Sequence, residues 1–425
     1  CLVGSEMCIR DRSLRWERIP VVHTIPQHNR PLEELSASEV PIIRTEVPGP
    51  RSRTIHAKEE AHSSPGLSAL ATLSGLAMEE GRGALVRDVD GNVLIDFSSG
   101  TVVAVTGHSH PNIVGPLQQA LGKFLHIYDY ASEARAEFFE YLALLVPETL
   151  THFQMYTSGA ETVEAALRLA KSYTKRHEFI SLYRAFHGKT LGALALMGGS
   201  YKKGFGPLPG GFFLTPNAYC YRCPLGLTYP NCEVACADFI TNIFQQETTG
   251  DVAAVVVEPI QGAGGVIVPP PEFLPKIADF CKRNGILLYA DEILTSAGRT
   301  GKRWAIEHFD VKPDIMTMGK GIGSGFPLGV VASSEEIMSV WPWAQPYGGT
   351  STYGGSPLAA TAGLVTLQTL VAEHLVENAA AVGAHMKERL QAMQAWHPSI
   401  GDVRGAGLLI GVEFVQDRAT KELVT

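Results

Sequence analysis

The chain has 425 residues, 45% of them apolar and 18% charged, and its 35 basic and 43 acidic residues leave a formal net charge of −8. That length exceeds one small core and fits a large domain with a smaller one. The acidic balance excludes a basic footprint for nucleic acid, and no apolar run approaches the ~18 residues of a membrane span. Seven cysteines without an evident secretory signal favour a reducing compartment, so a cytoplasmic location is expected.

Residues 1–13, CLVGSEMCIRDRS, resemble a translated sequencing adaptor and are set outside the fold argument. From Arg15 to about Ser64 the chain is rich in proline and charge with little periodicity, the pattern of an arm that wraps or stays mobile. Two alternating runs between Gly81 and Phe97 flank Asp90-Gly91-Asn92, a hairpin signal. The histidines of Gly107-His108-Ser109-His110-Pro111 stand in a loop with no clustered carboxylate or cysteine, so a turn is expected rather than a metal site.

Thr157-Ser158-Gly159-Ala160 opens an amphipathic helix whose Val163, Ala166, Leu167 and Ala170 share one face. Glu164 and Arg168 are spaced for an i,i+4 pair on the other. Small residues at this start either hold an ordinary serine N-cap or leave amides free for an anion. Phe179 to Tyr183 reads as a short strand leading into Arg184-Ala185-Phe186-His187-Gly188-Lys189-Thr190. Gly-Lys-Thr suggests a nucleotide loop, but Tyr183 stands where its first glycine is required, so that reading fails. Cys220, Cys223, Cys232 and Cys236 have a zinc-like spacing with a loose second pair and a short linker. Packing thiols or a redox-labile pair is the reading adopted, and no metal is expected. Val252 to Val257 is a buried strand ending in Glu258-Pro259-Ile260-Gln261-Gly262-Ala263-Gly264-Gly265.

Two further apolar runs follow, Ile286 to Ala290 before Asp291-Glu292, and Asp314 to Met318 before Gly319-Lys320-Gly321. Both read as parallel strands presenting polar residues at their C-terminal ends, where ligands bind in open α/β sheets. Asp291 and Lys320 there form either a buried ion pair or a pyridoxal phosphate site. In the second case Lys320 carries the aldehyde as a Schiff base and Asp291 pairs with the ring nitrogen. The pair alone does not separate these readings. A glycine-rich turn, Gly349 to Pro357, precedes a long helix, and Leu408 to Val415 is a late apolar strand.

In order and spacing, YADEI, GRTGK, PDIMTMGKGI and GFPLGVV resemble the class III (subgroup II) pyridoxal phosphate aminotransferases, and the likeness runs from about Gly81 to about Val415. It implies an α/β, fold type I structure: a large domain with a mostly parallel mixed sheet sandwiched by helices, plus a smaller α+β domain. The implied division is an arm with a hairpin over 14–105, a cofactor-binding domain over 106–345, and an incomplete C-terminal domain over 346–425. Ser158, Gly159 and Ala160 match the phosphate-binding element, Phe186 the ring-stacking aromatic, and Ile293 a residue that packs against the ring. His187 and Glu258 belong to the same matched motifs, and Asp291 and Lys320 keep the roles above. Thr352 matches a threonine that reaches the neighbouring subunit's phosphate, so a homodimer is implied. Leu294 and Ala263 replace a family glutamine and glutamate. Arg404 reads as structural, and the arginine for a substrate carboxylate is expected beyond Thr425.

The wording is most similar to 4-aminobutyrate and other ω-amino acid transaminases. The implied reaction moves an amino group from such a donor to a 2-oxo acid, in ping-pong fashion through Lys320. An amino acid racemase or a decarboxylase on the same scaffold, and an inactive cofactor-binding fragment, are the rivals.

Overall fold

The computed structural model describes residues 30–67 and 70–424. The expectation for residues 1–13 lies outside them. The chain divides into two compact units, one of residues 1–81 and 85–95, the other of residues 82–84 and 96–425.

In the first unit, helix α1 (Pro50–Glu60) occupies part of what reads as an irregular arm. Proline at its first turn costs no helical hydrogen bond. The turn aspartate, Asp90, supplies the missing cap: its carboxylate accepts from the backbone N–H groups of Arg51 and Ser52, both at 2.8 Å. This partner lies ~40 residues downstream in sequence, so local periodicity could not announce the helix. The hairpin forms as expected, with β2 (Leu85–Asp88) antiparallel to β3 (Val93–Ile95) and β1 (Met78–Arg82) beside β2. Asn92 caps the arm in turn, its Oδ1 accepting from Arg44 N at 2.7 Å and Thr45 N at 3.1 Å.

The second unit is built on a seven-stranded sheet. Its strands are β4 (His152–Tyr156), β5 (Glu178–Leu182), β6 (Phe212–Thr215), β7 (Val252–Val257), β8 (Leu287–Glu292), β9 (Ile315–Met318) and β10 (Gly329–Ser333). Their spatial order is β4-β10-β9-β8-β7-β5-β6, with β10 antiparallel to both neighbours and the pairs from β9 to β6 parallel. Side chains alternate between the faces of a strand, and here both faces are covered. Val255, Val257, Leu288, Ala290, Met316 and Met318 pack into one core. Ala254, Val256, Leu287, Tyr289 and Ile315 pack into another, against α4 (Gly159–Thr174). Continuous burial of β7, β8 and β9 explains why their sequences are apolar without alternation.

On the first of these faces lie α3 (Glu133–Ala143), α5 (Phe273–Asn284) and the long α6 (Pro357–Ala372), with α2 (Pro111–Leu121) packed against α6. Helix α7 (Leu375–Trp396) follows and packs on a C-terminal antiparallel sheet, β11 (Ile400–Ala406), β12 (Leu409–Asp417) and β13 (Glu422–Leu423). Among the described residues no single helix is long and apolar enough to cross a membrane.

Candidate active site

The alternation that builds the two cores also sorts the Asp291-Glu292 pair. Asp291 continues the face of Leu287 and Tyr289, whereas Glu292 continues that of Leu288 and Ala290. Glu292 therefore points away from α4, where its carboxylate accepts from Ala305 N at 3.0 Å, from Ile306 N at 2.7 Å and from the Thr295 hydroxyl. Burial pushes its carboxyl up to about 7 against the pull of those donors. Glu292 ties down the segment 305–308.

Asp291 is held on α4's side by three contacts. Its Oδ2 accepts from His187 Nδ1 at 2.7 Å, and its Oδ1 accepts from Ile293 N at 3.1 Å and from Thr317 Oγ1 at 3.2 Å. Thr317 stands directly beside Asp291 in the parallel register and is bonded to Tyr289 OH at 3.0 Å. The other imidazole nitrogen, His187 Nε2, lies 3.1 Å from Ser181 Oγ. His187 is 2% exposed, and burial opposes its protonation. The Asp291 hydrogen bond and charge, with Glu258 behind them, outweigh that and raise its pKa.

Lys320 follows β9 by two residues, with φ +43° in the left-handed region. A residue with a Cβ is held there at a cost of about 1–2 kcal/mol, a strain concentrated at functional positions. Its amine has no hydrogen-bond partner among the described residues. Burial lowers its pKa, opposed by the charges of Asp291 and Glu258. Glu258, at the end of β7, accepts from Phe186 N at 2.8 Å and Gly262 N at 3.0 Å. Burial raises its carboxyl to about 7, with His187 lowering it and Asp291 raising it.

These side chains converge on one cavity of about 250 Å³, lined by Gly159, Ala160, Phe186, His187, Gly188, Lys189, Glu258, Asp291, Ile293, Leu294 and Lys320. Thus Lys320 and Asp291, 29 positions apart by their own numbers, face the same space. Gly159 and Gly319 both abut Ile293: a Cβ on either would meet its Cγ2, at 3.0 Å and 3.2 Å respectively. Gly188, at φ +136°, passes so close to α4 that a Cβ would lie 2.7 Å from Ala160 Cβ.

Ser158 is the N-cap of α4, its Oγ accepting from Glu161 N at 3.3 Å, and it is not among the lining residues. The serine N-cap reading is the one the hydrogen bonds show, and the first-turn amides after it have no intrahelical acceptor, as at any helix start. The Glu164–Arg168 pair does not form. Glu164 instead accepts from Thr190 Oγ1 at 2.7 Å and Gly192 N at 2.8 Å, while Arg168 donates to Gly348 O at 2.9 Å. Tertiary donors outcompete an exposed pair worth only ~0.2–0.5 kcal/mol. Thr352 is exposed and lies outside the cavity lining. The four cysteines line a separate small cavity as free thiols, and no metal-holding group of His, Cys, Asp or Glu occurs among the described residues.

The aminotransferase class-III family model matches residues 69–425. The chain belongs to the class III aminotransferases. It is 37% identical to a 4-aminobutyrate aminotransferase of Mycobacterium tuberculosis over 387 residues, covering 89% of this chain and 85% of the relative. It is 34% identical to a leucine/methionine racemase of Thermococcus litoralis, covering 83% and 80% of the two chains. Among solved structures, an (S)-enantioselective ω-transaminase from Thermomicrobium roseum superposes with a TM-score of 0.82 at 36% identity, covering 88% of this chain and 86% of that one. The fold is that of the pyridoxal phosphate-dependent transaminases, and pyridoxal phosphate is the cofactor.

The cavity suits this cofactor. It combines an amine free of hydrogen bonds, a buried carboxylate fixed by three donors, and a helix N-terminus suited to an anion. Phe186 and Ile293 supply apolar walls. Sequence reasoning passed over Ser181, Thr317 and Lys189. The first two are polar residues inside the apolar strands EFISL and IMTM, on the face that carries Asp291, and that interruption was the available signal. Lys189, also at the cavity, carries no such signal in the sequence.

Proposed function

We propose that this aminotransferase moves an amino group from an ω-amino acid or related amine to a 2-oxo acid by a ping-pong route. The observation that carries the reading is that Lys320 and Asp291 share one cavity with Lys189, whose side chain has no ion pair or hydrogen bond among the described residues. Bound pyridoxal phosphate supplies an electron-poor ring that takes up the electrons released at the carbon bearing the amino group. Asp291 would stand at the ring nitrogen and keep a proton there, with His187, Thr317 and Ile293 N holding the carboxylate in place. Lys320 would carry the cofactor covalently and then act through Nζ, where burial lowers the pKa and so favours the neutral amine that a base requires. Ser158, Gly159 and Ala160 would hold the phosphate, and Phe186 and Ile293 would enclose the ring. Lys189 would meet the carboxylate of the ω-amino acid. Thr352, exposed in the single chain, would complete the phosphate site of a second copy in a homodimer.

Lys320→Ala is expected to abolish turnover and the near-visible absorbance of the lysine-bound cofactor; retained activity would refute the role. A donor panel with pyruvate and 2-oxoglutarate as acceptors tests the substrate class, and preference for ω-amino acids over their 2-amino isomers is the expected result. The likeness to the Thermococcus litoralis racemase supports a second reading on the same residues. Loss of optical activity from leucine or methionine without any oxo acid would establish that reaction instead.

A further inference from the structure

Tyr289 carries a polar atom into a part of the core that apolar groups could fill. It is 0% exposed on β8 and packs with Val256 and Ile315 in the core against α4. A hydroxyl left unbonded there would cost about 1–3 kcal/mol, so the phenol requires a partner. It finds one in Thr317 on the neighbouring β9, at 3.0 Å, and has no other among the described residues. Thr317 is also 0% exposed and stands beside Asp291 in the parallel register. Tyr289 lies two residues before Asp291 on the same face. The phenol therefore reaches diagonally across the strand pair and ends one hydroxyl away from the site's carboxylate.

The hydrogen bonds have one consistent direction. A carboxylate only accepts, so the Thr317 proton is committed to Asp291 Oδ1 at 3.2 Å. Thr317 Oγ1 then accepts at its other contact, and Tyr289 OH donates to it. Burial, with the charges of Asp291 and Glu164, pushes the phenol's pKa well above its ordinary value, so Tyr289 remains a neutral donor. Donors in a chain polarise one another, and in an enclosed site the second strengthens the first. Neither residue lines the cavity. This arm at Oδ1 has a counterpart at Oδ2, where Ser181 meets His187 and His187 meets Asp291.

We propose that Tyr289, acting through Thr317, is a positioning residue that favours charge on Asp291 and so keeps the proton on the cofactor's ring nitrogen. This rests on the placement of Asp291 at that nitrogen given above. Two arrangements of the shared proton compete: a protonated ring beside a carboxylate, and a neutral ring beside a carboxylic acid. Donors aimed at the carboxylate favour the first. Without the relay the proton moves toward Asp291, and the ring becomes a weaker acceptor of electrons.

The test uses the full chain loaded with pyridoxal phosphate isotope-labelled at its ring nitrogen, whose magnetic resonance distinguishes protonated from unprotonated rings. Tyr289→Phe removes one hydroxyl and keeps the packing of the ring. It is expected to move the resonance toward the unprotonated position and to lower kcat by about 2- to 10-fold, the worth of one neutral hydrogen bond. Thr317→Val removes the direct donor and should move the resonance further, with kcat lower by about 10- to 100-fold. Thr317→Ser should restore most of both. KM for the amine donor should stay within about twofold, since the loss is confined to the chemical step. If Thr317→Val folds poorly because it strands the buried phenol, Tyr289→Phe decides alone. A resonance unmoved in Tyr289→Phe, whether or not kcat falls, would overturn the relay. Asp291→Asn checks the underlying reading: a resonance unmoved in that variant would count against Asp291 standing at the ring nitrogen, so the two failures are distinguishable.

Discussion

Replacing His187 with leucine tests how the site's carboxylate is held. The substitution keeps an apolar group of similar bulk in a fully enclosed position and removes both ring nitrogens. Asp291 keeps its two contacts at Oδ1 but loses the 2.7 Å bond at Oδ2, and Ser181 loses its partner at 3.1 Å. A hydrogen bond to a charged group contributes about 1.5–3 kcal/mol and a neutral one about 1. The apoprotein should therefore lose about 3 kcal/mol in urea unfolding, and cofactor affinity should fall because the carboxylate is free to turn. The pH dependence gives a second check. The folded imidazole holds its proton more tightly than the unfolded one, whose pKa is 6.5. Its contribution is thus complete below that value and is lost as pH rises through the raised folded pKa. The gap between parent and variant should be largest in mild acid and narrow in alkali without closing, since neutral Nδ1–H still donates. A variant as stable as the parent in mild acid, or a gap independent of pH, would refute the argument.

The remaining predictions concern the walls of the same cavity. Glu258 has its folded pKa raised from 4.5 to about 7, so its contribution is complete below 4.5 and is lost as pH climbs to the raised value. That change amounts to about 3 kcal/mol. Glu258→Gln should remove this slope, which urea titrations of the apoprotein at pH 5 and pH 8 would reveal as a parent–variant difference shifting by about 2.5 kcal/mol. Gly188→Ala places a methyl 2.7 Å from Ala160 Cβ at a left-handed φ of +136°. Strain and overpacking together should cost about 2–5 kcal/mol. Pressure on the first turn of α4 should also weaken cofactor retention, read by thermal unfolding with and without pyridoxal phosphate.

The parts of the fold that local chemistry dictates were legible in the residues themselves. Val252–Val257 is continuous, buried and apolar, and it became β7 with the same limits. The Asp90-Gly91-Asn92 turn and the start of α4 at Ser158 were visible for equally local reasons. Helix α1 was not, because Asp90 caps it from another segment. Nor was the fate of Glu164, whose donors come from residues 190–193.

The site divides along the same line. That a lysine and an acid end two parallel strands follows from the pattern of runs, and the strand order makes those strands neighbours. The choice of Asp291 over Glu292 rests in the sequence on the cofactor reading; its physical reason is the strand's face, which acquires meaning only once α4 covers it. Tyr289 and Leu287 on α4's side place Asp291 there and consign Glu292 to the opposite core, where three donors from 295, 305 and 306 receive it. His187 is the sharper case. In the sequence it is one histidine beside an aromatic residue; in the fold it bridges Ser181 on β5 and Asp291 on β8, across the intervening β7. A carboxylate so buried needs a donor of this kind, since leaving it unpaired would cost several kcal/mol. The demand for that partner is deducible from Asp291's burial, and only the strand order determines which residue meets it.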